Sequence, residues 1–199
     1  MGWSELRWSL YAPFYDGIVG GIGRGRRRAH ELLAIRGNER ILIDGAGTGL
    51  DLECLPRSAS ITAIDTSEQM LRRLRRRARK LGIEADARVM NAERLSFESD
   101  CFDVVLLHLI LAVIPDPVAC IREAERVLRP GGRISIFDKF LSRDGEPSLA
   151  RRLLNPVSAM LATHLNRRAE DLVAATSLRV VHEEPSQFGG LFRIVILEK

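Results

Sequence analysis

The chain has 199 residues, a formal net charge of +4 and an apolar fraction of 46%, enough for one domain with a substantial buried core. Its cysteines, Cys54, Cys101 and Cys120, are odd in number and scattered, without C-x-x-C or His-rich spacing, which argues against a disulfide framework and leads us to expect no metal site. The opening decapeptide has no continuous apolar run of a secretory signal, and the longest apolar stretch, residues 104–114, is interrupted by His108, so neither export nor a bilayer span is expected and a cytoplasmic location follows.

The lead segment, residues 1–30, sets Trp3, Leu6, Trp8, Leu10, Tyr11 and Phe14 around Arg7. It is expected to form either a lid over a site or helices lying on a membrane interface. Residues 40–44 (RILID) predict a buried strand, followed by a glycine-rich turn and a short helix ending near Pro56. Residues 61–65 (ITAID) predict the second strand. Leu71, Leu74, Ala78 and Leu81 then recur at helical spacing through a block of arginines, which places the basic side chains on the solvated faces of an amphipathic helix. No aromatic residue interleaves that block, so no nucleic-acid partner is expected.

Residues 87–90 and 102–108 predict the third and fourth strands, and 117–128 a helix stopped by Arg129-Pro130-Gly131-Gly132. Residues 133–137 predict the fifth strand, 149–175 a largely helical stretch broken at Pro156, and 178–181 and 192–197 a closing hairpin joined through Gly189-Gly190. Strands alternating with helices imply right-handed βαβ units: an α/β domain spanning residues 1–199, its mainly parallel sheet covered on both faces, with an antiparallel strand near one edge.

Asp44-Gly45-Ala46-Gly47-Thr48-Gly49 lies between a strand and a helix, where glycine lets the backbone turn sharply and approach a ligand. Asp65 closes the next strand about 20 residues after Gly45, the offset at which an acid accepts hydrogen bonds from ribose hydroxyls. Leu50 stands where the dinucleotide fingerprint G-x-G-x-x-G requires its third glycine, which disfavours NAD. His108 ends the fourth strand and Asp138 and Lys139 follow the fifth, all at the carboxyl edge where open α/β sheets bind ligands. His108 is read as a cofactor contact and the best-placed base, with a structural histidine as the alternative. Asp138 and Lys139 are read as substrate contacts, or as partners of each other.

The pattern D-G-x-G-x-G resembles motif I of the class I S-adenosylmethionine-dependent methyltransferases, and the likeness runs from Tyr11 to about Phe140. Residues 61–71 (ITAIDTSEQML) resemble the family's second motif, which implies that Asp65, Thr66 and Met70 line the ribose and adenine. Asn91-Ala92-Glu93-Arg94-Leu95-Ser96-Phe97 is similar to the family's D-A-E-x-L-P-F segment, with Asn91 where an aspartate usually meets the adenine amino group. Leu128-Arg129-Pro130-Gly131-Gly132 matches L-x-P-G-G, and Tyr11-Ala12-Pro13-Phe14-Tyr15-Asp16 resembles the lead of the ubiquinone-biosynthesis-like and small bacterial phosphatidylethanolamine N-methyltransferase branch. The resemblance implies a Rossmann-like methyltransferase sheet and S-adenosylmethionine as cofactor, held by Asp44, Gly45, Ala46, Gly47 and Gly49 and covered by Tyr15. It implies methyl transfer to a small acceptor; the aromatic lead segment points within the family to a lipid or otherwise hydrophobic one and, with the arginine helix, to peripheral association with an anionic membrane. A quinone-type C- or O-acceptor, or a silent cofactor-binding regulator, is the alternative.

Overall fold

The computed structural model describes residues 22–140 and 167–199. Its first element is α1 (Gly23–Leu33), which lies within and just beyond the expected lead segment. Then come β1 (Arg40–Asp44), a 3-10 turn (Leu50–Cys54), β2 (Ser60–Asp65), α2 (Glu68–Leu81) and β3 (Ala85–Val89). After these follow β4 (Phe102–His108), α3 (Pro117–Val127), β5 (Leu128–Lys139), α4 (Ala169–Val173), β6 (Arg179–Pro185) and β7 (Phe192–Glu198). The strands form one seven-stranded sheet in the order β3-β2-β1-β4-β5-β7-β6. Strands β1 to β5 run parallel, and β7 is antiparallel to both β5 and β6, next to the edge as expected.

Local chemistry explains the elements. Ser67 caps α2 by accepting the Met70 N–H, and Gly82 ends that helix in a left-handed conformation. Asp116 caps α3 by accepting the Ala119 N–H at 2.9 Å, with Pro117 at the first helical position. The helix ends at Val127, and the Arg129–Gly132 stretch expected as a turn enters β5 instead. Leu128 pairs with Phe102, the register breaks, and regular pairing resumes at Arg133.

The sheet separates two apolar layers. On one face, α3 and α4 set Cys120, Ile121, Ala124 and Leu172 against Leu42, Val105, Leu107 and Ile136. On the other, α1 and α2 set Ala29, Leu33, Leu71 and Leu74 against Ile41, Ile43, Leu106 and Phe137. Gly25 brings α1 close to the sheet: a Cβ there would stand 2.6 Å from the Phe137 ring. Strand order reverses between β1 and β4, so their carboxyl ends diverge into a crevice.

Candidate functional site

The loop after β1 is built for a close backbone approach. Gly45, Gly47 and Gly49 all have positive φ, and a Cβ on Gly45 would lie 2.5 Å from Ile110 Cδ1. The Ala46 N–H donates to the Ile64 carbonyl at 2.8 Å, tying the loop to β2. Asp65, at the end of β2, accepts the Gly47 N–H on Oδ2 at 2.9 Å and the Ser67 N–H on Oδ1 at 2.8 Å. Each oxygen keeps a lone pair for a ligand hydroxyl. Burial raises the Asp65 carboxyl above the ordinary carboxylate range, against the pull of those two donors.

One strand further out, the Met90 N–H donates to the Asp65 carbonyl at 3.2 Å, which brings Asn91 beside that acid along the sheet edge. Asn91 is exposed and its Oδ1 accepts the Glu93 N–H at 3.0 Å, while Glu93 Oε1 accepts the Asp116 N–H at 2.8 Å. Ala92 and Met70 are buried and Thr66 is exposed. Arg77 departs from the expected solvated face: it donates to the Thr48 carbonyl at 2.9 Å and to Thr48 Oγ1 at 3.1 Å, pinning the glycine loop to α2.

Asp44 is 1% exposed, and its Oδ1 has no hydrogen-bond partner. Its Oδ2 meets the Cys120 thiol at 4.0 Å, on the α3 face of the sheet. Burial, with Asp65 and Glu123 nearby, pushes its pKa up to about 8. A buried carboxyl with a free oxygen next to a glycine cradle matches a ligand that brings a positive charge.

On the opposite face a polar cluster fills the space under α1. Asp51 Oδ1 lies 2.8 Å from His30 Nε2 and 2.6 Å from His108 Nδ1, and Arg26 Nε is 3.4 Å away. His108 Nε2 is 3.0 Å from Ser135 Oγ, so both its ring nitrogens are engaged within the protein. Burial opposes ionisation of Asp51, yet His108, His30 and Arg26 together hold its carboxyl well below the usual range. Burial pushes His108 below the ordinary imidazole value, against the pull of Asp51. The donor atoms of His30, Asp51 and His108 lie within 4.8 Å of one another. Arg26 already supplies the positive charge at Asp51 that a metal ion would bring. Arg26, Asp51 and His108 line a small cleft together with Gly45, Ala46, Thr48 and Leu50.

Asp138 is fully buried and accepts the Ala112 N–H at 3.0 Å and the Lys139 N–H at 2.7 Å, so its carboxylate organises the loop after β4. Burial raises its pKa to about 6. Lys139 is half-buried, with Nζ 5.8 Å from the centre of the Phe192 ring.

The structure therefore gathers Asp44, Gly45, Ala46, Gly47, Gly49, Asp65 and Asn91 along one edge, with His108 across the crevice. Tyr15 lies outside the described residues. Arg26, His30, Asp51 and Ser135 escaped the sequence reading. Asp51 carried the one legible signal, an acid flanked by Leu50 and Leu52 directly after the glycine loop.

Residues 43–136 match a family described as a methyltransferase domain. A phosphatidylethanolamine N-methyltransferase of Cereibacter sphaeroides is 32% identical over 98% of this chain and 96% of its own. A ubiquinone biosynthesis O-methyltransferase of Xanthomonas axonopodis pv. citri is 36% identical over 48% of this chain and 41% of its own. In fold, the crystal structure of the [4+2]-cyclase SpnF superposes with a TM-score of 0.80 at 17% identity, over 98% of this chain and 94% of that one.

Proposed function

The chain belongs to the S-adenosylmethionine-dependent methyltransferases, and from that premise we propose that it methylates a lipid or similarly hydrophobic acceptor at the crevice between β1 and β4. The observation that carries the site is the buried, partnerless Oδ1 of Asp44 beside a loop that a Cβ at Gly45 would close. A ligand that brings a cationic amino-acid end, a ribose and no pyrophosphate fits that set of donors and acceptors. Asp44 accepts its ammonium, Asp65 its ribose hydroxyls, and Gly45, Ala46, Gly47 and Gly49 give it room. Thr66, Met70, Asn91, Ala92 and Glu93 border its base.

When bound, S-adenosylmethionine supplies a methyl group on a sulfonium that is already a good leaving group, so the protein's task is proximity and orientation. His108, with both nitrogens engaged, fixes Asp51 and the end of β4. Lys139 stands on the acceptor side, beyond a buried Asp138 already committed to backbone N–H groups. An amine acceptor must arrive unprotonated.

The likeness to a phosphatidylethanolamine N-methyltransferase runs the length of both chains, whereas that to the quinone enzyme covers about half of this one, which favours the lipid. The test is a panel of acceptors with radiolabelled cofactor: phosphatidylethanolamine in vesicles, quinone precursors and small amines. Label in the lipid is the expected result. Label confined to quinone precursors or to soluble amines overturns the lipid reading and leaves the family unaffected.

A further inference from the structure

We propose that Arg167 is a positioning residue for methyl transfer: with Asp138 it clamps the loop after β4 by its backbone and so fixes the lip of the crevice that faces the glycine loop. This rests on the reading of the crevice given above, and it holds whichever acceptor enters.

The crevice has two lips, the glycine loop after β1 and residues 109–114 after β4. The second lip begins with a strained step. Leu109 has a φ of +62°, a left-handed conformation that is uncommon outside glycine and persists only where the surroundings impose it. Its N–H is tied to the Phe137 carbonyl at 2.9 Å. The chain then turns over the glycine loop, where Ile110 fills the space that a Cβ on Gly45 would need. Leu111, Ala112 and Ile114 are buried.

A buried loop must find partners for its peptide groups. The Val113 and Ile114 N–H groups both donate to the Ile110 carbonyl at 3.0 Å, which closes one turn. Side chains from two other parts of the chain meet further groups. Asp138, at the end of β5, accepts the Ala112 N–H at 3.0 Å. Arg167 donates one arm of its guanidinium to the Leu111 carbonyl and the other to the Ile114 carbonyl at 2.7 Å, with the Pro115 carbonyl at 3.4 Å. The planar fork holds two carbonyls of the turn at once, a geometry that a single ammonium nitrogen does not reproduce.

The clamp is itself anchored. Arg167 stands just before α4, whose Ala169 and Leu172 are buried in one layer with Cys120 and Ile121 of α3. The charges of Asp138 and Asp116 offset part of the burial of the guanidinium. A carboxylate on the N–H side and a guanidinium on the carbonyl side thus grip one turn, and releasing either frees Ile110 to lift from the glycine loop. In-line transfer depends on alignment, so a small shift of this lip costs rate more than affinity.

The test compares Arg167→Met and Arg167→Lys with the wild type. Label transfer from radiolabelled S-adenosylmethionine is followed to phosphatidylethanolamine in vesicles, or to whichever acceptor of the panel the wild type labels, and S-adenosylhomocysteine binding is measured by calorimetry. Arg167→Met is expected to lose about 10- to 100-fold in kcat, with affinity for S-adenosylhomocysteine kept within about threefold, and Arg167→Lys is expected to recover part of the rate. A folded Arg167→Met with the wild-type kcat overturns the proposal, and so does a loss of affinity as large as the loss of rate. Wild-type label in quinone precursors or amines corrects the acceptor alone. Amide exchange read by mass spectrometry tests the clamp without turnover. In Arg167→Met, or in Arg167→Lys if the first variant does not fold, residues 109–114 should exchange about tenfold faster or more while β1 and β4 keep their protection. Unchanged exchange in the loop, or a rise throughout the chain, overturns the clamp.

Discussion

Asp65 accepts the Gly47 N–H at 2.9 Å, so the acid at the end of β2 and the glycine loop after β1 form one unit. The same carboxylate that is placed for a ribose also sets the loop that approaches the rest of the ligand. Replacing it removes both. Asp65→Ala is expected to weaken S-adenosylhomocysteine binding by roughly 1.5–3 kcal/mol, the range for a hydrogen bond to a charged group. Loss of the loop contact adds about 1 kcal/mol of lost stability. Calorimetry and thermal melts separate the two. An unchanged affinity in a folded variant would reduce Asp65 to a loop tie.

Asp44 gives the site a pH signature. Its pKa is raised from 3.8 to about 8 in the ligand-free protein, so folding takes up a proton and its contribution to stability is greatest at low pH. That contribution fades as pH rises from about 4 to about 8. An ammonium placed against Oδ1 reverses the preference and drives the proton off. Binding of S-adenosylhomocysteine near pH 7 should therefore release a proton, read by calorimetry in two buffers of different ionisation enthalpy. Asp44→Asn should abolish the release, and a wild type that binds without releasing a proton would separate Asp44 from the ammonium.

Gly45 is constrained by its φ of +72° and by Ile110, whose Cδ1 and Cγ1 would lie 2.5 and 2.9 Å from an added Cβ. Gly45→Ala should cost about 1–3 kcal/mol of stability through strain and overpacking, and it should also weaken cofactor binding. Ile110→Ala in the same chain makes room. The double variant should then be less destabilised than the sum of the two singles, as denaturant titrations would show.

The two helices on the α1 face are strongly basic. Arg24, Arg27 and Arg28 of α1 and Arg72, Arg76, Arg79 and Lys80 of α2 are exposed, although Arg28 pairs with Glu184 at 3.0 Å. With the aromatic lead segment, they are expected to draw the protein to anionic more than to neutral liposomes, an attraction that salt weakens. Co-sedimentation measures it. Replacing Trp3 and Trp8 with serine should lower binding further, and indifference to both liposome types at low salt would favour a lid over an interfacial anchor.

The sheet edge was legible because its signals are local. A short apolar run, three glycines and an acid one strand later announce β1, the loop and Asp65 without any knowledge of distant contacts. The α1 helix was not legible as part of the site. GRGRRRAHELL straddles the end of the segment expected as a lid or interfacial helices, and only the fold reveals that Arg26 and His30 are buried, because their partner Asp51 lies in another element. His108 was placed correctly at the end of β4, but its engagement on both sides depends on Asp51 and Ser135, which no periodicity singles out. The long β5 was missed in part because Arg129-Pro130-Gly131-Gly132 carries turn chemistry. Even so, Gly131 and Gly132 bond to the backbone of Lys199 at 2.9 and 3.2 Å.

The pairing of Arg26 and His30 with Asp51 also decides where this protein may be cut. The methyltransferase family match begins at residue 43, inside β1, and an engineer trimming just ahead of that strand, at residue 40, would keep every βαβ crossover and all three loop glycines. The trimmed chain would nevertheless carry an ionised aspartate under the glycine loop with its guanidinium and one imidazole gone, and bare sheet where Ala29 and Leu33 had packed. The smallest self-sufficient fragment therefore starts no later than α1, whatever a sequence profile marks as the domain's first residue.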